Sequence, residues 1–282
     1  MIKPLLFSAA LLLSIAPAAA GQGASPNAAS DAAPLVIGET FTIQSAILGE
    51  TRRINVYAAR GYGATAETPL PVLYMPDGGM AEDFLHVAGL LQVSVGNGTM
   101  RPFLLVGIEN TERRRDMTGP TTVEEDRKIA PRVGGSEPFR RFIRDELMPR
   151  VRSRYRTTDE TAIVGESLAG LFVVETFLLA PEMFDTYIAF DPSLWWNGQA
   201  LLGGASERLR SRPASGKTLY LASSDESGIV ATTERLAETL AASAPAGLRW
   251  HYEKMPEEKH STIYHPAALR AFRALFRPAG QP

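Results

Sequence analysis

A chain of 282 residues with 29 Lys and Arg against 31 Asp and Glu has a formal charge of −2, which excludes a broadly basic nucleic-acid surface and an acidic solvating tail. It contains no cysteine, and so no disulfide, thiol nucleophile or thiolate metal site. The length suits one large α/β domain, or two small ones, held by core burial alone.

Lys3, an apolar run from Leu5 to Ile15, Pro17 and Ala18 to Ala20 form the basic start, short apolar core and small-residue cleavage site of a secretory signal peptide. Cleavage is expected after Ala20, giving a periplasmic or secreted protein. The run is too short to span a bilayer, so no membrane span is expected in the mature chain. Residues 21–34, rich in Ala, Ser, Gly and Pro, read as a disordered linker, and 35–278 as the folded domain.

Thr40 to Ala58 alternates apolar and polar residues around Gly49-Glu50, which predicts a hairpin. Leu70–Met75 and Phe103–Ile108 are apolar runs expected to be buried strands, with a helix near 81–91 between them. A polar loop is expected over 109–136, longer than usual connections and so a candidate functional rim. A helix over 138–155, a strand at Thr161–Val164 and a helix at 168–179 follow. Strands at Thr186–Phe190, Thr218–Ala222 and Leu248–Tyr252 then alternate with helices near 200–211, 229–243 and 267–276. This alternation predicts an α/β fold: a mainly parallel sheet with helices on both faces, in a single domain.

Ala162-Ile-Val-Gly165-Glu166-Ser167-Leu168-Ala169-Gly170 reads as strand, sharp turn and helix, the setting of a nucleophile elbow. Small residues at 165, 169 and 170 let helix and strand pass close to the serine. The amide of Leu168 is left to bind an oxyanion. Ala169 stands where glycine is usual, and Glu166 puts a carboxyl beside the nucleophile.

A serine needs a base, and the base an orienting carboxylate. Of the four histidines, His86 precedes the serine and His251 alternates within a strand. His260, in the polar loop directly after the last strand, is the expected base, with His265 next. Asp191, Asp225 and Glu226 each follow a strand between serine and histidine, and spacing does not choose among them. The second oxyanion amide is expected from Asp77-Gly78-Gly79, after an early strand.

These stretches resemble the putative-esterase family of α/β hydrolases, which includes esterase D and the enterochelin or siderophore esterases. The resemblance rests on Val72-Leu-Tyr-Met-Pro-Asp77-Gly78, on Asn110-Thr111 with Arg113, Arg115-Asp116 and Thr118, and on Gly165-Glu-Ser-Leu-Ala-Gly-Leu-Phe172. Downstream it rests on Pro181-Glu-Met-Phe184-Asp185, Asp191-Pro-Ser-Leu-Trp195-Trp196, and His260-Ser261 with His265-Pro266. It covers roughly residues 40 to 277 and implies the α/β-hydrolase fold and an acyl-ester hydrolase with Ser167 as nucleophile and His260 as base. A family pattern like Ala222-Ser-Ser-Asp-Glu226 makes Glu226 the expected acid, with Leu168, Asp77 and Gly78 at the oxyanion. The commonest family motif has His at position 166 and Ser at 191, where this chain has Glu and Asp. Trp195 and Trp196 are expected to wall the substrate pocket, and Arg113 and Arg115 to meet an anionic or catecholate-rich substrate. The expected partner is a small-molecule ester, siderophore triesters included, with no cofactor, no metal and no nucleic acid; nothing in the sequence specifies an oligomeric state. An acyltransferase using the same acyl-enzyme, or a non-catalytic siderophore- or carbohydrate-binding module, are the alternatives.

Overall fold

The computed structural model describes residues 33–61, 64–130, 132–212 and 214–278; the expected leader at 1–20 and the linker up to residue 32 lie outside them. Residues 33–36 are exposed and have no regular structure, and the body of the molecule begins at Ile37.

Strands β1 (Glu39–Ser45) and β2 (Glu50–Ala59) form the expected antiparallel hairpin, with Ser45 opposite Glu50 and Gly49 in the turn at φ 68°. Then come β3 (Leu70–Pro76), α1 (Phe84–Gly96) and β4 (Phe103–Ile108). The stretch expected to be a polar loop holds two short helices, α2 (Arg113–Met117) and α3 (Glu124–Ile129). The apolar spacing of 138–155 belongs to α4 (Ser136–Phe142), which runs through a π turn at Ile143–Leu147 into α5 (Met148–Arg154). Strand β5 (Thr157–Glu166) and α6 (Leu168–Leu179) flank Ser167. After β6 (Thr186–Phe190) come α7 (Trp196–Gly203), opened by left-handed Asn197, Gly198 and Gln199, and α8 (Ala205–Ser211). The chain closes with β7 (Thr218–Ser223), α9 (Ser227–Ser243), β8 (Arg249–Lys254) and α10 (Tyr264–Leu275).

The eight strands lie in the order β1-β2-β4-β3-β5-β6-β7-β8; β1 and β2 are antiparallel to their neighbours and the rest are parallel. Strands β3, β4, β6 and β7 are buried along their whole length, as apolar runs covered on both faces must be. Their residues still alternate between two cores. Val72 and Tyr74 face the core under α4 to α6 with Phe139, Phe142 and Phe172, whereas Leu73 and Met75 face α1 and α10 with Phe84, Leu91 and Phe272. Parallel pairing brings the carboxyl ends of β3, β5, β6, β7 and β8 to one edge of the sheet. In this architecture ligands meet that edge.

Candidate active site

The elbow is built at the end of β5. Ser167 has φ 59° and ψ −117°, and a side chain on either glycine nearby would collide with backbone. A Cβ on Gly165 would lie 2.6 Å from the Ala169 carbonyl carbon, and one on Gly170 would lie 2.9 Å from the Phe190 carbonyl oxygen. Ala169 itself fits, fully buried. The strained turn is pinned from both sides: the Ser167 amide donates to Phe190 O at 3.0 Å, and the Ser193 amide donates to Ser167 O at 3.0 Å. Among the described residues, the non-glycine residues with positive φ are Asp77, Ser167, Asp191, Asn197 and Gln199. Three of these five sit at the ends of β3, β5 and β6, where backbone strain marks functional sites.

His260 Nε2 lies 3.1 Å from Ser167 Oγ, and His260 Nδ1 lies 2.9 Å from Asp191 Oδ2. Asp191 is fully buried and its carboxylate is held from behind. The Ser224 amide donates to Oδ1 and the Ser224 hydroxyl to Oδ2, both at 2.6 Å. The expectation that Glu226 orients His260 is thereby corrected. Glu226 is exposed at the N-terminus of α9, where its carbonyl accepts from Val230, and Asp225 pairs with Lys259. Asp191 reaches Nδ1 because it follows the strand next to β5, whereas Glu226 lies one strand farther out. His265, exposed at the start of α10, packs against His86, and it is His260 that meets Ser167.

The bond from Asp191 is the main influence moving His260 above the usual imidazole range; burial opposes it, and the charge of Glu166 adds to it. Glu166 places Oε1 3.3 Å from the same Nδ1, with no hydrogen bond to that atom. Burial pushes its carboxyl up to about 8. Ser193 Oγ, which sequence reasoning did not single out, stands 3.4 Å from Ser167 Oγ. Its position two residues after Asp191, in the Asp-Pro-Ser block, was the available signal.

The expectations for the oxyanion turn divide. Gly78 is not a free donor: its amide donates to Ile108 O at 2.9 Å. Its missing side chain serves packing, since a Cβ there would lie 2.3 Å from the Gly107 Cα. Gly79 donates to Glu82 Oε2. The amides of Asp77 and Leu168 make none of these turn and loop bonds, and the first amides of a helix have no partner within it. Arg113, expected to meet substrate, grips the Asp77 carboxylate in a fork at 2.7 and 2.8 Å, and Asn110 Nδ2 donates to the same group at 2.5 Å. It braces the turn on one side of an open cleft of about 540 Å³. Arg115 is not at the site; it pairs with Glu50 and Asp116 beneath α2. Trp196 is core, 6% exposed, with Nε1 donating to Gly119 O at 2.9 Å, while Trp195 is 37% exposed.

Among the described residues, ligand atoms of Glu166, Asp191 and His260 lie within 4.8 Å of one another. Two of the three, Asp191 and His260, are already hydrogen-bonded to each other at 2.9 Å, so a cation bound there would displace that bond. No helix among the described residues is long and apolar enough to cross a membrane.

The profile described as Putative esterase matches residues 45–276. The chain belongs to this family. With it the chain falls among the carboxylic-ester hydrolases. It is 28% identical over 255 residues to the ferri-bacillibactin esterase BesA of Bacillus subtilis, covering 82% of this chain and 87% of that one. It is 29% identical over 168 residues to the siderophore triacetylfusarinine C esterase of Aspergillus fumigatus, covering 54% and 53% of the two chains. Among solved structures, an IroE-like serine hydrolase from Shewanella oneidensis superposes with a TM-score of 0.77 at 29% identity, covering 85% of this esterase and 80% of that chain. The BES protein from Bacillus cereus, at 20% identity, shares the fold with a TM-score of 0.75, over 86% and 97%.

Proposed function

We propose that this esterase is an exported serine hydrolase that cleaves siderophore-type esters through an acyl-enzyme. The observation that carries the reading is the continuous relay from Ser167 Oγ through His260 to buried Asp191, at 3.1 and 2.9 Å. His260 Nε2 takes the proton of Ser167 Oγ as that oxygen attacks the ester carbonyl carbon. Asp191 accepts the Nδ1 proton's hydrogen bond, fixing the tautomer that leaves Nε2 free and stabilising the imidazolium that forms. The amides of Leu168 and Asp77 receive the negative oxygen of the tetrahedral intermediate. The intermediate collapses as His260 returns its proton to the leaving alcohol, and water, activated by the same imidazole, then releases the acid.

The substrate class is supported by the relatives named as siderophore esterases. Export, with cleavage after Ala20, is supported by the leader-like residues 1–20. The test is hydrolysis of a short p-nitrophenyl ester by the parent, Ser167→Ala and His260→Ala, followed by siderophore esters. Each substitution is expected to lower kcat by at least about 10³-fold. A parent that neither turns over the ester nor reacts with a fluorophosphonate would overturn the reading.

A further inference from the structure

Two carboxyl groups face one N–H at this site. Nδ1 of His260 has a single proton to donate, and Asp191 Oδ2 receives it at 2.9 Å. Glu166 Oε1, 3.3 Å from the same nitrogen, is buried and accepts no hydrogen bond from any described residue. The two carboxyls are supported very differently. Asp191 has the amide and hydroxyl of Ser224 behind it, both at 2.6 Å, and Glu166 has nothing comparable. Glu166 is the last residue of β5, so its backbone is held beside the serine by pairing with Phe190 and by the turn at Ser167.

We propose, resting on the serine-esterase reading above, that Glu166 is a positioning residue for the base: a second carboxyl on the Nδ1 edge of His260 whose charge alternates with that of the imidazole and so sets the pH at which the base becomes available. A buried carboxyl without donors disfavours its charged form. The charges around it work in both directions. His260, in the loop before α10, and Arg113, on α2, favour the ionised form of Glu166, whereas Asp191 after β6 and Asp83 before α1 oppose it. The buried hydroxyl of Tyr264 on α10 also lies in the field of Glu166, Asp77 and Asp83. On the other side, His260 is moved upward by Asp191 and Glu166 and, least, by Glu226. Each group's charge therefore acts on the other, and the two titrate as a pair.

The alternation follows from counting protons. Besides the one on Nδ1, the pair binds two protons at low pH, one on His260 Nε2 and one on Glu166. When one has left, the other sits in either place. On Nε2, with Glu166 ionised beside it, it blocks the base; on Glu166 it leaves Nε2 free to take the proton of Ser167 Oγ. No proton is created or lost in this exchange. The competition between the two forms raises the pH needed to free every imidazole. A neutral isostere at position 166 removes the charge that stabilises the imidazolium, so Nε2 is freed at lower pH.

The experiment is a pH titration of the full chain by NMR, following the His260 imidazole and identifying it by its absence in His260→Ala. In parallel, kcat/KM for a p-nitrophenyl ester is measured from pH 5 to 9. The parent's His260 is expected to titrate over a range broader than a single-proton curve. In Glu166→Gln it should follow a single-proton curve with its midpoint about one pH unit lower, a tenfold fall in proton affinity. The acid limb of the rate profile should move with it. Glu166→Met, neutral and of similar length, should shift the midpoint the same way and serves if the glutamine variant folds poorly. A single-proton curve in the parent, or midpoints within about 0.2 pH unit in parent and variants with rates lowered equally at every pH, would overturn the proposal and leave Glu166 a packing residue. The NMR titration needs no turnover. An inactive parent therefore sinks the esterase reading without touching this test.

Discussion

Two clusters of buried charge sit in this molecule, and they are finished differently. Beneath α2, Arg52 is fully buried and donates through Nη1 to Glu50, Thr111 and Asp116, and through Nη2 to Glu109 O. Arg115 completes the set, so all four carboxylate oxygens of Glu50 and Asp116 accept a hydrogen bond. At the elbow, Asp191 is equally well held, yet Glu166 Oε1 next to it accepts none. The first cluster fixes Glu50 in its charged form, its carboxyl lowered to about 2, chiefly by Arg115. The second leaves Glu166 free to gain and lose a proton within the working range. A paired cluster clamps a rim to a sheet; an underpaired one keeps a site responsive.

Breaking the relay has the largest expected effect. Asp191→Asn should lower kcat for a p-nitrophenyl ester by about 10³–10⁴-fold, because the amide favours the wrong imidazole tautomer. Glu226→Gln should leave kcat within about twofold. Equal losses in the two variants would show that the relay does not run through Asp191.

The paired cluster should answer in stability and not in chemistry. Arg52→Met leaves Asp116, 1% exposed, with half its partners. That should cost about 3–5 kcal/mol in denaturant unfolding, with the turnover of the folded fraction nearly unchanged. A loss below about 1 kcal/mol would mean that water or Arg115 takes over the vacated bonds.

The smallest effect is a pH dependence of stability. Because folding lowers the Glu50 carboxyl from 4.5 to about 2, its contribution is present above pH 4.5 and is lost as pH falls from 4.5 toward 2. With a quarter of that side chain open to solvent, the loss should be about 1 kcal/mol. Glu50→Gln should remove that part of the acid-side slope, seen as a smaller fall in melting temperature between pH 4.5 and 3 than in the parent.

Much of this could be read directly from the residues. The sheet strands, the hairpin and α6 were legible because local periodicity and turn residues specify them. The elbow was legible because Gly165, Ala169 and Gly170 are small for a steric reason visible in sequence. Segment 109–136 was not: α2 and α3 are too short to show a period, and their partners are distant in sequence, Arg52 reaching Asp116 on α2 from 64 residues upstream and the Asn197 amide reaching Asp126 on α3 from 71 residues downstream. Trp195 and Trp196 look alike in sequence; only the carbonyl of Gly119 opposite the indole makes Trp196 core. Arg113 and Arg115, two residues apart, were separated in the same way, one by Asp77 and the other by Glu50 and Asp116.

The sequence by itself determined an α/β sheet, a serine at a sharp turn and a histidine in the last loop, since each follows from short-range patterning. The tertiary structure decided which carboxylate serves the histidine. Asp191, Asp225 and Glu226 all follow strands, but strand order is a long-range property. Only the adjacency of β6 to β5 puts Asp191 within 2.9 Å of His260 and sets Glu166 beside it.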